Sequence, residues 1–129
     1  MRSPGLMLPL TKMTIRKHKG VDRDYRKGHG VVSVPPNQIS IRITNACNHR
    51  CAVCGQYGKD GYMYKEKGKE LIKTLPLEKY KKLVDEMARY KPIYYLTGGE
   101  PFLYPGFVEL VNYMKKRGSV VSVVTNGVK

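Results

Sequence analysis

The stretch Ile39-Ser40-Ile41-Arg42-Ile43-Thr44-Asn45-Ala46-Cys47 alternates aliphatic and polar side chains, then runs without a break into a thiol. Successive side chains on an extended backbone point to opposite faces, so a period of two predicts a strand with one buried face. The strand leads directly into the loop Cys47-Asn48-His49-Arg50-Cys51-Ala52-Val53-Cys54. Upstream, Gly28-His29-Gly30 and Pro35-Pro36 are breakers in a segment rich in Pro, Gly and basic residues. Residues 1–37 therefore read as a basic N-terminal extension without a core of its own, with the domain starting after Pro36.

Downstream, Gly55 to Thr74 carries four glycines among Lys, Glu, Asp and Tyr without steady periodicity. It reads as a long loop with room for a helical turn, the kind of segment in which function often lives. Leu77, Tyr80, Val84, Met87 and Ala88 recur at helical spacing until Pro92 ends the pattern. Ile93-Tyr94-Tyr95-Leu96 then predicts a short buried strand closing on Thr97-Gly98-Gly99. A second helix has Phe107, Leu110, Val111 and Met114 on one face, Glu109 early, Lys115 to Arg117 late and Gly118 as its stop. Val120, Val121, Val123 and Val124 form a third strand, too continuously apolar for a sheet with a wet face, and Thr125-Asn126-Gly127 ends it.

Strand, loop, helix, strand, helix, strand is an α/β order, with crossovers long enough to keep the strands parallel and right-handed. A parallel sheet takes helices on its faces and more than three strands. Residues 38–129 are thus expected to be part of a larger domain: a partial parallel (βα) barrel of TIM-like type, with the first three strands and two to three helices, incomplete at its C-terminus.

The bulk numbers suit one soluble globular domain: 129 residues, 41% hydrophobic and 26% charged. No stretch approaches the roughly 20 apolar residues of a membrane span, and Gly5 to Leu10, interrupted by Pro9, is too short for a secretory signal. The net charge of +14 invites a nucleic-acid, lipid or phosphorylated partner. The charge is spread, however, over Lys12 to Lys27, Lys59 to Lys73, Lys79 to Lys82 and Lys115 to Arg117, so solvated faces and tails are favoured over a nucleic-acid site.

All three cysteines fall within eight residues, which leaves no distributed disulfide framework and points to a reducing, cytoplasmic setting. Three thiolates at spacings of four and three residues can curl around one inorganic object from a single loop. A cubane cluster has four iron corners, so three cysteines leave one open to a small molecule. The competing site is zinc held by Cys47, Cys51, Cys54 and His49, in which the short loop has trouble turning His49 inward beside all three sulfurs. Gly98-Gly99 and Thr125-Asn126-Gly127 each also read simply as tight turns. The position of Thr125-Asn126-Gly127 at the carboxyl end of a parallel strand, where α/β folds place their sites, keeps a functional reading open for it.

Cys47-x-x-x-Cys51-x-x-Cys54 after the first strand, Thr97-Gly98-Gly99-Glu100-Pro101 after the second and Thr125-Asn126-Gly127 after the third together resemble the radical S-adenosylmethionine (radical SAM) superfamily over about residues 38–129. The resemblance implies an enzyme core holding a 4Fe-4S cluster and S-adenosylmethionine. One electron cleaves the latter to methionine and a 5′-deoxyadenosyl radical that takes hydrogen from a substrate. It implies Cys47, Cys51 and Cys54 as cluster ligands, Gly98, Gly99 and Glu100 at the methionine end of the cofactor, and Thr125 or Asn126 facing cofactor or substrate. Many members carry an aromatic residue near the adenine where this chain has Val53, which leaves an aliphatic contact there, with Tyr57, Tyr62 and Tyr64 as a nearby aromatic source. It also implies a one-electron reductant of the flavodoxin or ferredoxin kind. The substrate is not legible. The rival readings are a non-catalytic iron-sulfur or zinc module and an RNA-associated role for the basic tail.

Overall fold

A computed structural model describes residues 19–28, 35–64 and 74–128. The basic positions Lys12, Arg16 and Lys17, the His29-Gly30 part of the first breaker and the 65–73 part of the long loop lie outside them. The chain divides into Met1–Asn37 and Gln38–Lys129. In the first unit residues 19–26 are helical, with Arg26 paired to Asp22 one turn away at 3.1 Å. Among the described residues no helix is long and apolar enough to cross a membrane.

The second unit runs β1 (Gln38–Thr44), α1 (Leu77–Met87), β2 (Ile93–Gly98), α2 (Phe107–Lys116) and β3 (Val120–Val123). Short 3-10 turns at Ala88–Tyr90 and Pro101–Leu103 follow α1 and β2. The strands form one sheet in the order β1-β2-β3, with both pairings parallel. This is the α/β arrangement expected from the sequence, and it matches the opening three strands of a TIM-like barrel.

Register decides which face each helix covers. Ile39 lies opposite Tyr94 and Ile41 opposite Leu96, while Tyr94 and Leu96 lie opposite Val121 and Val123. These residues share one face. Against it pack Tyr80 and Val84 of α1 and Phe107, Leu110 and Met114 of α2, forming a single core with Ile43 and Tyr104. The aliphatic half of the β1 alternation is therefore the buried half. Within the core, the Tyr80 hydroxyl donates to the Ile43 carbonyl at 3.2 Å, and its ring meets Tyr104 edge-on at 5.7 Å. The Tyr104 hydroxyl donates to the Leu75 carbonyl at 3.1 Å. Both tyrosines thus bury apolar rings while keeping their polar tips satisfied.

The helix ends follow the sequence signals. α1 passes through a 3-10 turn to Lys91, which takes a left-handed φ of 47°, and buried Pro92 then starts the approach to β2. α2 closes on Gly118 at φ 79°, whose N–H bonds Lys115 O at 2.9 Å while Ser119 N–H reaches Met114 O at 3.2 Å. Across the exposed seam between the helices, Lys81 Nζ reaches Glu78 at 2.9 Å and Glu109 at 2.8 Å, and these two carboxylates hold its ammonium above the ordinary lysine range. Such exposed pairs add little stability.

β3 is the last strand of this sheet. Val121 and Val123 pack on the core, yet Val120 is only half-buried and Val124 is exposed. Among the described residues, β3 pairs with β2 alone. Truncating the fully buried Leu110 to Ala is expected to cost about 2–5 kcal/mol in urea unfolding. The exposed Val108→Ala on the same helix is expected to change stability by no more than about 0.5 kcal/mol.

Candidate functional site

The three motifs follow β1, β2 and β3 at the carboxyl ends of adjacent parallel strands. Their relation begins in the backbone. The β1–β2 register shifts between Arg42 and Thr44, and the chain then continues alongside β2 past the end of the strand. Gly99 N–H donates to Thr44 O at 2.9 Å and Glu100 N–H to Ala46 O at 2.7 Å. The Thr44 hydroxyl, on a buried residue, accepts from Ala46 N–H at 3.0 Å and fixes the bend.

This close passage explains the glycine pair. A Cβ on Gly98 would lie 2.6 Å from Thr44 O, and one on Gly99 would lie 2.2 Å from Ala46 O. Neither separation is tolerable. The close backbone approach expected of these glycines is therefore made by the segment leading into Cys47.

The cysteine loop is a run of turns. Cys54 N–H bonds Cys51 O at 3.0 Å and Gly58 N–H bonds Cys54 O at 2.8 Å. Arg50 Nη1 donates to the carbonyls of Cys47 at 2.9 Å and His49 at 2.8 Å. Sulfur is met by backbone donors: His49 N–H at 3.4 Å from Cys47 Sγ and Tyr57 N–H at 3.5 Å from Cys54 Sγ. N–H groups of Tyr57 and then Gln56 draw the Cys54 thiol below its usual range, outweighing a small opposing effect of burial. All three cysteines are free, with Cys51 exposed and Cys47 and Cys54 half-buried. Among the described residues, no three His, Cys, Asp or Glu side chains gather around one metal-sized point. The sulfurs are thus close along the chain without being converged, and His49 does not complete a ready-made zinc cage.

The donor set still fits a cluster with one open corner. It comprises three thiols on one short loop, two of them already receiving N–H donors of the kind that stabilise thiolate charge. Convergence of ligands on metal binding is ordinary, because ligand thiolates repel one another until a cation neutralises them.

Glu100 is the surprise. Its side chain is 1% exposed. Oε1 accepts from Phe102 N–H at 3.1 Å and from the Thr125 hydroxyl at 2.8 Å, while Oε2 accepts from Asn126 N–H at 2.8 Å. Asn126 Nδ2 in turn donates to Asn48 Oδ1 at 2.9 Å, and Asn48 Nδ2 donates to Val128 O at 2.8 Å. One hydrogen-bonded chain therefore runs from the second motif through the third to the residue after Cys47. In this chain of contacts Glu100, Thr125 and Asn126 face each other. Asn48 was not singled out from the sequence; its partner lies 78 residues away and leaves no local signal.

The remaining expected residues divide. Val53 is 98% exposed at the loop surface, and Tyr62 and Tyr64 are exposed, whereas Tyr57 is buried and so is not part of an exposed aromatic surface. Arg42, from β1, holds Tyr62 and Gln56, the latter at 3.0 Å. Beside the third motif, Phe102, Tyr104, Phe107, Val108, Thr125 and Gly127 line an open, largely apolar cleft of about 490 Å³.

Replacing Glu100 by Gln puts an NH₂ group against donors that now share a carboxylate. Urea unfolding is expected to show a loss of about 1–3 kcal/mol, against a smaller loss for Thr125→Val, which removes one donor only. Equal stability of Glu100→Gln and the unaltered chain would show that this bonding does not hold the strand ends.

Residues 41–129 match the model of the Radical SAM superfamily. Among curated proteins, the chain is 34% identical over 96 residues to "Probable GTP 3',8-cyclase" of Saccharolobus solfataricus, covering 72% of this chain and 28% of that protein. It is 31% identical over 93 residues to "Antilisterial bacteriocin subtilosin biosynthesis protein AlbA" of Bacillus subtilis, covering 71% and 19%. It is 29% identical over 92 residues to "Tungsten-containing aldehyde ferredoxin oxidoreductase cofactor-modifying protein" of Pyrococcus furiosus, covering 69% and 23%. The chain thus spans less than a third of the length of these relatives. No solved structure gives a significant match. Members of this superfamily use a 4Fe-4S cluster and S-adenosylmethionine, the cofactors expected from the three motifs. A match over residues 41–129 that takes in all three strand-end motifs places this chain in the radical SAM superfamily.

Proposed function

We propose that residues 38–129 are the part of a radical SAM enzyme core that binds the cluster and the methionine end of S-adenosylmethionine. The observation that carries this reading is the bonding of three motifs at neighbouring strand ends through Glu100, Asn126 and Asn48. Cys47, Cys51 and Cys54 are the ligands. A 4Fe-4S cluster held there would supply one-electron reduction of S-adenosylmethionine, the chemistry that yields methionine and a 5′-deoxyadenosyl radical able to take hydrogen from a substrate.

The chain's own residues do the positioning. His49 and Tyr57 N–H groups offset negative charge on sulfur, which lowers the cost of gathering three thiolates. Gly98 and Gly99 keep the approach to Cys47 against the end of β2. The carbonyls of that glycine segment supply acceptors for an ammonium. Because the Glu100 carboxylate is already bonded to Phe102, Thr125 and Asn126, its part is to hold this backbone in place. Asn126 bridges to the cysteine loop, and Val53 offers the adenine an exposed aliphatic contact.

The free cysteines suit a reducing cytoplasm, and the chemistry requires a one-electron donor of the flavodoxin or ferredoxin kind. The relatives' names range from bacteriocin biosynthesis to GTP cyclisation, so they favour no single substrate class.

Anaerobic reconstitution with iron and sulfide is expected to give a brown protein that cleaves S-adenosylmethionine to methionine and 5′-deoxyadenosine when reduced. In Cys51→Ala, cleavage is expected to fall to background. Unchanged cleavage in that variant would remove the assignment of the ligands. One zinc with no acid-labile sulfide would replace the enzyme by a non-catalytic zinc module.

A further inference from the structure

Tyr57 lies three residues after the third cysteine, and its side chain is 3% exposed. Its hydroxyl oxygen is buried and has no hydrogen-bond partner among the described residues. A buried polar group left unpaired costs about 1–3 kcal/mol, so sites that keep one repay a search for what it meets in the working protein.

The surroundings narrow the choice. Tyr57 N–H donates to Cys54 Sγ at 3.5 Å, which ties the residue to the third cysteine. The Arg50 guanidinium lies 4.8 Å over the Tyr57 ring, and the same guanidinium donates to the Cys47 carbonyl at 2.9 Å. The ring is therefore linked to both ends of the Cys47–Cys54 loop. A phenol is an ordinary hydrogen-bond donor, and this one is buried with its donor unused among the described residues.

We infer that the Tyr57 hydroxyl donates a hydrogen bond to sulfur of the cluster held by Cys47, Cys51 and Cys54, either a cysteine thiolate or an inorganic sulfide. This rests on the cluster assignment above and adds a residue to it. A hydrogen bond to sulfur withdraws electron density and favours the more negatively charged, reduced cluster, so it raises the reduction potential. Tyr57 is accordingly a positioning residue that sets how readily the cluster accepts an electron.

The test compares the full chain and Tyr57→Phe, both reconstituted anaerobically with iron and sulfide. Each is titrated for midpoint potential and then examined by pulsed EPR after exchange into D₂O. The expected result is equal iron and sulfide content, a more negative potential in Tyr57→Phe and loss of one exchangeable deuteron coupled to the cluster. An unchanged potential with unchanged deuteron coupling overturns the inference while leaving the cluster assignment standing. Failure of the unaltered chain to take up iron and sulfide overturns both. The apo proteins give a second reading that does not require loading. A hydroxyl with no protein partner is lost without penalty, so apo Tyr57→Phe is expected to melt no lower than apo wild type. A marked drop would mean that the hydroxyl already has a protein partner, and would also overturn the inference.

Discussion

A single buried carboxylate holds the working end of this sheet together. Three parallel strands joined by helices leave their carboxyl ends as separate loops, because the ladder hydrogen bonds stop where the strands stop. Glu100 sits at the end of β2 and accepts from Phe102, Thr125 and Asn126, so the loop after β3 is fixed to the loop after β2. A carboxyl group with 1% exposure is tolerable only when partners replace its lost hydration, and here two backbone N–H groups and one hydroxyl do so. The cost of leaving those groups unmatched is what fixes the geometry. Any arrangement that separates the strand ends must expose or orphan the carboxylate.

The cysteine loop is fixed from two sides. Its approach is pinned by main-chain bonds from Gly99 and Glu100 to Thr44 and Ala46, possible only because Gly98 and Gly99 lack a Cβ. Its first turn is pinned by the hydrogen bond that the Asn126 side-chain amide donates to Asn48 Oδ1. Among the described residues, the loop between Cys51 and Cys54 is held by local turns, and Cys51 is exposed. That division suits a site in which the strands set the location and bound metal sets the final ligand geometry.

Much of the fold was legible because it rests on local signals. Alternation in β1, the helical stripe of Leu77, Tyr80 and Val84, the Gly118 stop and the apolar run before Gly98 each declare themselves within a few residues. The site was legible in its residue types and order. Its internal bonding was hidden: Glu100 meets Thr125 and Asn126 across about 25 residues, and Asn48 meets Asn126 across 78. The motif places Glu100 at the methionine end of the cofactor, and spacing alone does not show that its carboxylate also bonds Phe102, Thr125 and Asn126. Tyr57 looked like one of three exposed loop tyrosines, whereas its ring is buried under Arg50. Long-range pairing and burial of a single loop side chain depend on tertiary packing, to which spacing along the chain is blind.

The claim on which the rest depends is that the three-cysteine loop holds a cluster with one iron open to S-adenosylmethionine. Low-temperature EPR of the reconstituted, reduced chain, recorded with and without S-adenosylmethionine, tests it directly. The expected result is a reduced 4Fe-4S signal whose g values shift when S-adenosylmethionine is added, because a new ligand reaches the open iron. A cluster signal that ignores S-adenosylmethionine, or no cluster signal in an iron-loaded protein, would contradict it.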